Sequence, residues 1–96
     1  MKATKNIFVK KFTDIPNIGP AMTRDFKLLG LNDPKDLIEK DPYKLYLEIC
    51  KITKTRQDPC VLDTYIAAVD FMNGTEARMW WKYTPLRKKK YPEVSK

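Results

Sequence analysis

Four dipeptides do most to constrain what this chain can fold into: Asp33-Pro34, Asp41-Pro42, Asp58-Pro59 and Thr84-Pro85. Each puts a capping oxygen directly before a proline at the first helical position, where the missing N–H is no loss and the fixed φ suits the helix. After Asp41-Pro42, the residues Tyr43, Tyr46, Leu47 and Cys50 recur at i, i+3, i+4 and i+7, with Leu45, Ile49 and Ile52 widening the stripe. After Asp58-Pro59, Leu62, Tyr65, Ile66 and Val69 repeat the spacing and stop before Asn73-Gly74. The pattern predicts two long helices over 42–54 and 59–73, joined by a short turn. Upstream, Gly19-Pro20 opens a helix carrying Met22, Phe26 and Leu29 on one face and ending at Gly30, and 34–40 reads as a short helix with Leu37 and Ile38 facing in. Residues 6–12 fit either one to two helical turns or an extended arm. No alternating strand pattern competes, so the expected class is all-α with five or six helices.

A chain of 96 residues has room for one core. Its net charge of +7 is unevenly placed: Lys2, Lys5, Lys10 and Lys11 make residues 1–12 +4, Arg87, Lys88, Lys89, Lys90 and Lys96 against Glu93 make 86–96 another +4, and 13–85 carries −1. The expected organisation is a basic N-terminal arm or first helix (1–12), a helical domain (13–85) and a basic C-terminal tail (86–96). Such an excess favours acidic partners and says nothing of fold.

Several chemistries are set aside on composition. Without histidine the chain lacks the usual neutral-pH acid–base group and the commonest metal ligand. Cys50 and Cys60 match no zinc spacing and read as small core residues of a reducing compartment. Ile7-Phe8-Val9 is far too short for a signal or membrane segment. The expectation is a cytoplasmic, non-catalytic protein without metal, cofactor, small-molecule substrate or membrane contact. Asp58 is explained as an N-cap, and Asp63 with Asp70 as the exposed edge of the second long helix. Arg56 is read either as pairing with a carboxylate to fix the second turn or as facing a ligand.

The segment from Phe12 onward, with Ile15-Pro16-Asn17-Ile18-Gly19-Pro20 at its centre, resembles a helix-hairpin-helix motif. A tight turn with a glycine lets backbone approach a phosphate, and the following helix offers unpaired N–H groups and its positive dipole end. A turn of this kind grips sugar-phosphate without reading bases. With 42–54 and 59–73 as a second unit around Thr55-Arg56-Gln57-Asp58, the resemblance implies a double helix-hairpin-helix, SAM-like domain. Pro16-Asn17-Ile18-Gly19-Pro20, Asp25-Phe26-Lys27-Leu28-Leu29-Gly30-Leu31, Arg56-Gln57-Asp58-Pro59-Cys60-Val61-Leu62-Asp63 and Trp80-Trp81 together resemble the bacterial pathogenicity-locus or mitomycin-resistance-like family. They are more distantly similar to the C-terminal domain of TfoX-type competence regulators. That resemblance implies a small DNA-binding protein with no established reaction.

The candidate DNA-binding residues are accordingly Asn17, Ile18, Gly19 and Ala21 in the hairpin, Lys11, Arg24 and Lys27 beside it, and Arg87, Lys88, Lys89 and Lys90 in the tail. Weak, sequence-independent backbone binding in repair, recombination or competence is the leading expectation. Asn17 stands where such hairpins have glycine, so a plain structural corner remains the alternative for the turn. For Trp80 and Trp81 the choice is between capping the core and stacking on bases, and for the tail between a phosphate or acidic-partner contact and a solvated end. The competing function is a protein-interaction module, docking a larger protein through the hairpin and tryptophans without touching DNA.

Overall fold

In the computed structural model, which describes residues 2–95, one helix is surrounded by everything else. The four α-helices are α1 (Pro20–Leu28), α2 (Pro42–Thr53), α3 (Pro59–Met72) and α4 (Thr84–Lys90). Five 3-10 turns complete them: Asn6–Phe8, Phe12–Asp14, Pro34–Leu37, Trp80–Tyr83 and Pro92–Ser95. No strand occurs among the described residues. The chain is all-α, with fewer α-helices than the five or six expected, because the arm and the 34–40 segment make single 3-10 turns.

The cap signals explain the boundaries. Asp33, Asp41 and Asp58 each accept a hydrogen bond at 2.9 Å from the backbone N–H two residues on, closing the exposed start of the turn or helix that follows. Thr84 does otherwise: α4 begins at Thr84 itself, and its hydroxyl donates to Asp63 Oδ2 at 2.7 Å. Gly30 and Gly74, both at positive φ, end α1 and α3 as the sequence indicates.

α3 is buried on nearly every side, from Leu62 through Met72 apart from the half-buried Asp70. A helix apolar all round belongs in the middle of a fold. Phe12 meets Phe26 at 5.2 Å between ring centroids and Phe26 meets Tyr65 at 5.4 Å, which seats the arm and α1 on its flank. α2 packs through Leu45, Tyr46 and Ile49. Leu47 and Ile52, expected in the stripe, point outward, as does Ile38. One flank of α2 faces an open hollow rather than the core, so the apolar face is narrower than the sequence pattern suggests.

The largest difference from expectation concerns Asp63. Expected on an exposed edge, it is completely buried and receives Arg87 Nε at 2.8 Å and Nη2 at 3.4 Å, with Thr84 as a further donor. A buried carboxylate is tolerable only when paired and hydrogen-bonded, and here α4 brings both partners. Asp70 is also drawn inward, beside Tyr83, whose hydroxyl is pushed up to about 12 by burial first and by Asp70 next.

Candidate functional site

The hairpin is a short turn held from two sides. Asn17 adopts φ 73°, a left-handed conformation that asparagine tolerates. Its side chain donates to Arg78 O at 2.8 Å and accepts from Trp80 N–H at 3.3 Å, tying the turn to the segment that leads into α4. From the other side Lys2 Nζ donates to Thr13 O at 2.7 Å and to Ile18 O. Ile18 is fully buried, with its N–H donating to Ile15 O at 3.1 Å and its carbonyl taken by Lys2, so it shapes the turn from inside.

Gly19 is the N-cap of α1 at φ −109°, ψ −170°, a conformation open to any residue. A Cβ built there meets nothing within 4 Å. The fold itself therefore does not require glycine at this position. What glycine provides is bare backbone facing open space at the start of a helix whose first N–H groups, Ala21 among them, have no intrahelical partner.

On the flank of α1 lies a hollow of about 270 Å³, linked to this turn through Thr23, whose hydroxyl donates to Gly19 O at 3.0 Å. Lys10 and Lys11 enter it from the arm, Thr23 and Lys27 from α1, and Asn32 and Asp33 from the loop after α1. Asp14 positions the arm's contribution by accepting from the N–H groups of Lys10 and Lys11 at 3.0 and 3.1 Å, bonds that hold its carboxyl below the ordinary value. Arg24 is exposed one turn before Lys27, a spacing that makes the two neighbours on the helix surface. Among the described residues, none of Lys10, Lys11, Arg24 and Lys27 has a carboxylate within 4 Å. Of the charges expected beside the hairpin, Lys10, Lys11 and Lys27 line the hollow and Arg24 does not.

The tail residues lie elsewhere. Arg87 is 5% exposed and committed to Asp63, so it belongs to the core rather than to the basic surface expected of it. Lys88, Lys89 and Lys90 are exposed on α4, with Lys90 Nζ 5.6 Å from the centre of the Tyr91 ring. The arm is fixed near the carboxyl end of α3, where Asn6 Nδ2 donates to Met72 O at 3.0 Å, and α4 is fixed near the amino end at Asp63. Those anchors are nine residues apart, about 14 Å of helix.

Trp80 and Trp81 sit between the two ends in a T-shaped pair, centroids 5.8 Å apart at 83°. Neither closes the core as fully as Tyr83 does: Trp80 is half-buried and Trp81 is 50% exposed. At the second turn, Lys54 takes φ 55° and Arg56, though exposed, pairs with no carboxylate within 4 Å among the described residues. Its Nη2 donates to Val94 O at 3.1 Å and Glu93 O at 3.4 Å, binding the C-terminal turn. Gln57 is locked too: its Nε2 donates to Thr53 Oγ1 at 3.0 Å, and its carbonyl accepts from the Tyr46 hydroxyl. Both cysteines are free and half-buried. Among the described residues no group of three or more Cys, Asp or Glu side chains is arranged to hold a metal, and no helix is long and apolar enough to cross a membrane.

Sequence reasoning missed the Asp63–Arg87–Thr84 cluster. Its signal was Asp63, the first of two acids inside a run, 60–72, otherwise apolar enough to be central to the fold.

Residues 5–89 match the pathogenicity-locus family, Cdd1. The chain belongs to that family. It is also 40% identical over 77 residues to the mitomycin resistance protein McrB of Streptomyces lavendulae, a match covering 80% of this chain and 73% of the relative. No solved structure matches it.

Proposed function

We propose that this chain is a small, non-catalytic double helix-hairpin-helix module that holds a nucleic-acid backbone at its first hairpin, without sequence preference. The observation that carries the reading is the convergence of Lys10, Lys11 and Lys27 on one hollow, joined through Thr23 to a glycine the fold does not need. Phosphate approaching bare backbone at Gly19 would meet the N–H groups of the first turn of α1, with Arg24 and the three lysines as counter-charges. Asn17 and Ile18 shape the turn. Two features support the double arrangement: a left-handed residue in each turn, Asn17 and Lys54, and a helix with proline at its first position after each. The first unit departs from the pattern in that its leading helix is a single 3-10 turn, Phe12–Asp14. Repair, recombination or competence is the proposed setting, and the resistance named for the relative belongs to the same proposal.

The test is fluorescence anisotropy with labelled duplex and single-stranded oligonucleotides at low salt. The wild type binds both; Gly19→Glu and the pair Lys11→Ala/Lys27→Ala keep their helical circular dichroism and bind at least tenfold more weakly. Absence of binding to any DNA at low salt refutes the reading.

The second reading, a docking module for a larger protein, draws on Met79, Trp81 and Leu86, each about half exposed on the segment around α4. It expects no DNA binding from the wild type in the same assay.

A further inference from the structure

The tryptophan pair lines a hollow of about 580 Å³ between the 3-10 turn Trp80–Tyr83, α4 and the start of α3. Pro59 and Pro85 form part of its wall, Asp58 lies on the α3 side and Lys88 on the α4 side. Its aromatic surface is open. In a T-shaped pair the edge of one ring meets the face of the other, so one indole keeps both faces clear of its partner.

The platform is held on both sides. Asn17 fixes the backbone at Arg78 and Trp80, and the Asp63–Arg87–Thr84 cluster fixes α4, which sets the position of Lys88. Arg87 points into the core while Lys88 and Lys89, next in the chain, remain exposed, and Lys82 is exposed directly after Trp81. Charge is therefore sorted across the hollow. The exposed Asp58, its Oδ1 engaged by the Cys60 N–H at 2.9 Å, stands on the α3 side, and the exposed Lys88 stands opposite on the α4 side. An occupant that is flat and apolar between the two sides, carries N–H donors toward Asp58 and is anionic toward Lys88 fits this distribution. A nucleobase on its sugar-phosphate has those properties; a duplex, with its bases stacked and paired, cannot present one.

We infer that this hollow receives an unpaired base of a nucleic-acid strand, stacked on Trp81 with its phosphates on Lys88 and its neighbours. The inference rests on the nucleic-acid reading of the hairpin and deepens it. Asn17 ties the hairpin to the tryptophans, so a strand held at Gly19 and opened next to it would engage both places at once. The favoured substrate class is then single-stranded or branched DNA rather than continuous duplex.

Both tryptophans of the chain lie in this hollow, so their fluorescence reports on it directly. Titration with oligothymidylate is expected to quench the emission, and Trp81→Ala to weaken single-strand binding by about 5- to 100-fold, the range for loss of one stacking platform. Duplex binding should change less than twofold, Trp81→Phe should recover most of the affinity, and Lys88→Ala/Lys89→Ala should weaken binding while leaving the quench at saturation. Equal single-strand affinity in the wild type and Trp81→Ala overturns the inference and leaves the hairpin reading standing. Unchanged affinity in Lys11→Ala/Lys27→Ala, with the Trp81→Ala loss intact, supports the stack and refutes the hairpin. A blue shift with phosphatidylglycerol vesicles and no response to oligonucleotide overturns the inference in favour of a membrane surface.

Discussion

The two basic ends of the chain carry the same formal charge and are used in different ways. At the N-terminal end, Lys10 and Lys11 are held by Asp14 at the side of α1 and share a hollow with Lys27, and among the described residues none of the three has a carboxylate within 4 Å. At the C-terminal end the run Arg87-Lys88-Lys89-Lys90 is divided. Its first member goes into the core to neutralise Asp63, and that contact sets how the other three are displayed. Charge counted along a sequence measures neither availability nor direction; the helix carrying it and the partner it finds decide both.

The contrast can be broken most severely at Asp63. Replacing it with alanine leaves Arg87 buried without its carboxylate, and thermal unfolding should show a loss of about 3–5 kcal/mol. A paired Asp63→Leu/Arg87→Met swap should recover most of that loss, since apolar replacements of a buried pair are often neutral. An Asp63→Ala protein that melts with the wild type would mean α4 is not anchored there.

Asn17→Ala attacks the link between the hairpin and the tryptophan segment. It removes two hydrogen bonds and puts alanine at positive φ, at a cost of about 2 kcal/mol in denaturant unfolding. Asn17→Gly, which keeps the turn accessible, should cost less, and a reversed order would show that the backbone conformation is not what asparagine provides.

A smaller change sharpens the comparison at its midpoint. The Tyr65 hydroxyl is buried in α3 with no hydrogen-bond partner among the described residues, and burial pushes its ionisation well above the ordinary value. Tyr65→Phe should leave stability unchanged or raise it by about 1 kcal/mol. A clear loss would reveal a partner for that hydroxyl.

Acid should weaken both ends slightly. Backbone N–H donors hold Asp14, in the turn that follows the arm, and Asp58, at the start of α3, below their ordinary value of 3.8. Each group's contribution is complete above that value and fades as pH falls through its lower folded-state value, so melting temperature should be flat from pH 7 to about 5 and drop below 4. Stability that rises below pH 4 would contradict the capping roles.

Much of the fold was legible because its signals are local. Asp41-Pro42 and Asp58-Pro59 gave the starts of α2 and α3, and Gly30 and Asn73-Gly74 the stops of α1 and α3. What periodicity could not give was which flank of α2 would face a neighbour, and so Leu47 and Ile52 were placed inside. Thr84-Pro85 misled because a threonine before proline can cap a helix or serve a distant carboxylate, and the second is a tertiary fact. In the candidate site, Lys11, Arg24 and Lys27 were found by their distance from the hairpin in sequence. The fate of Arg87 depended on Asp63, 24 residues away, and no short-range pattern carries that pairing.

The salt dependence of DNA binding tests the central claim most directly. For the wild type, log affinity should fall linearly with log salt at roughly −0.9 per phosphate neutralised in duplex, and removing Lys11 and Lys27 should flatten the slope by about 2. A slope that stays the same without these two lysines, and flattens only when Lys88, Lys89 and Lys90 are replaced, would place the binding surface on α4 and contradict the account.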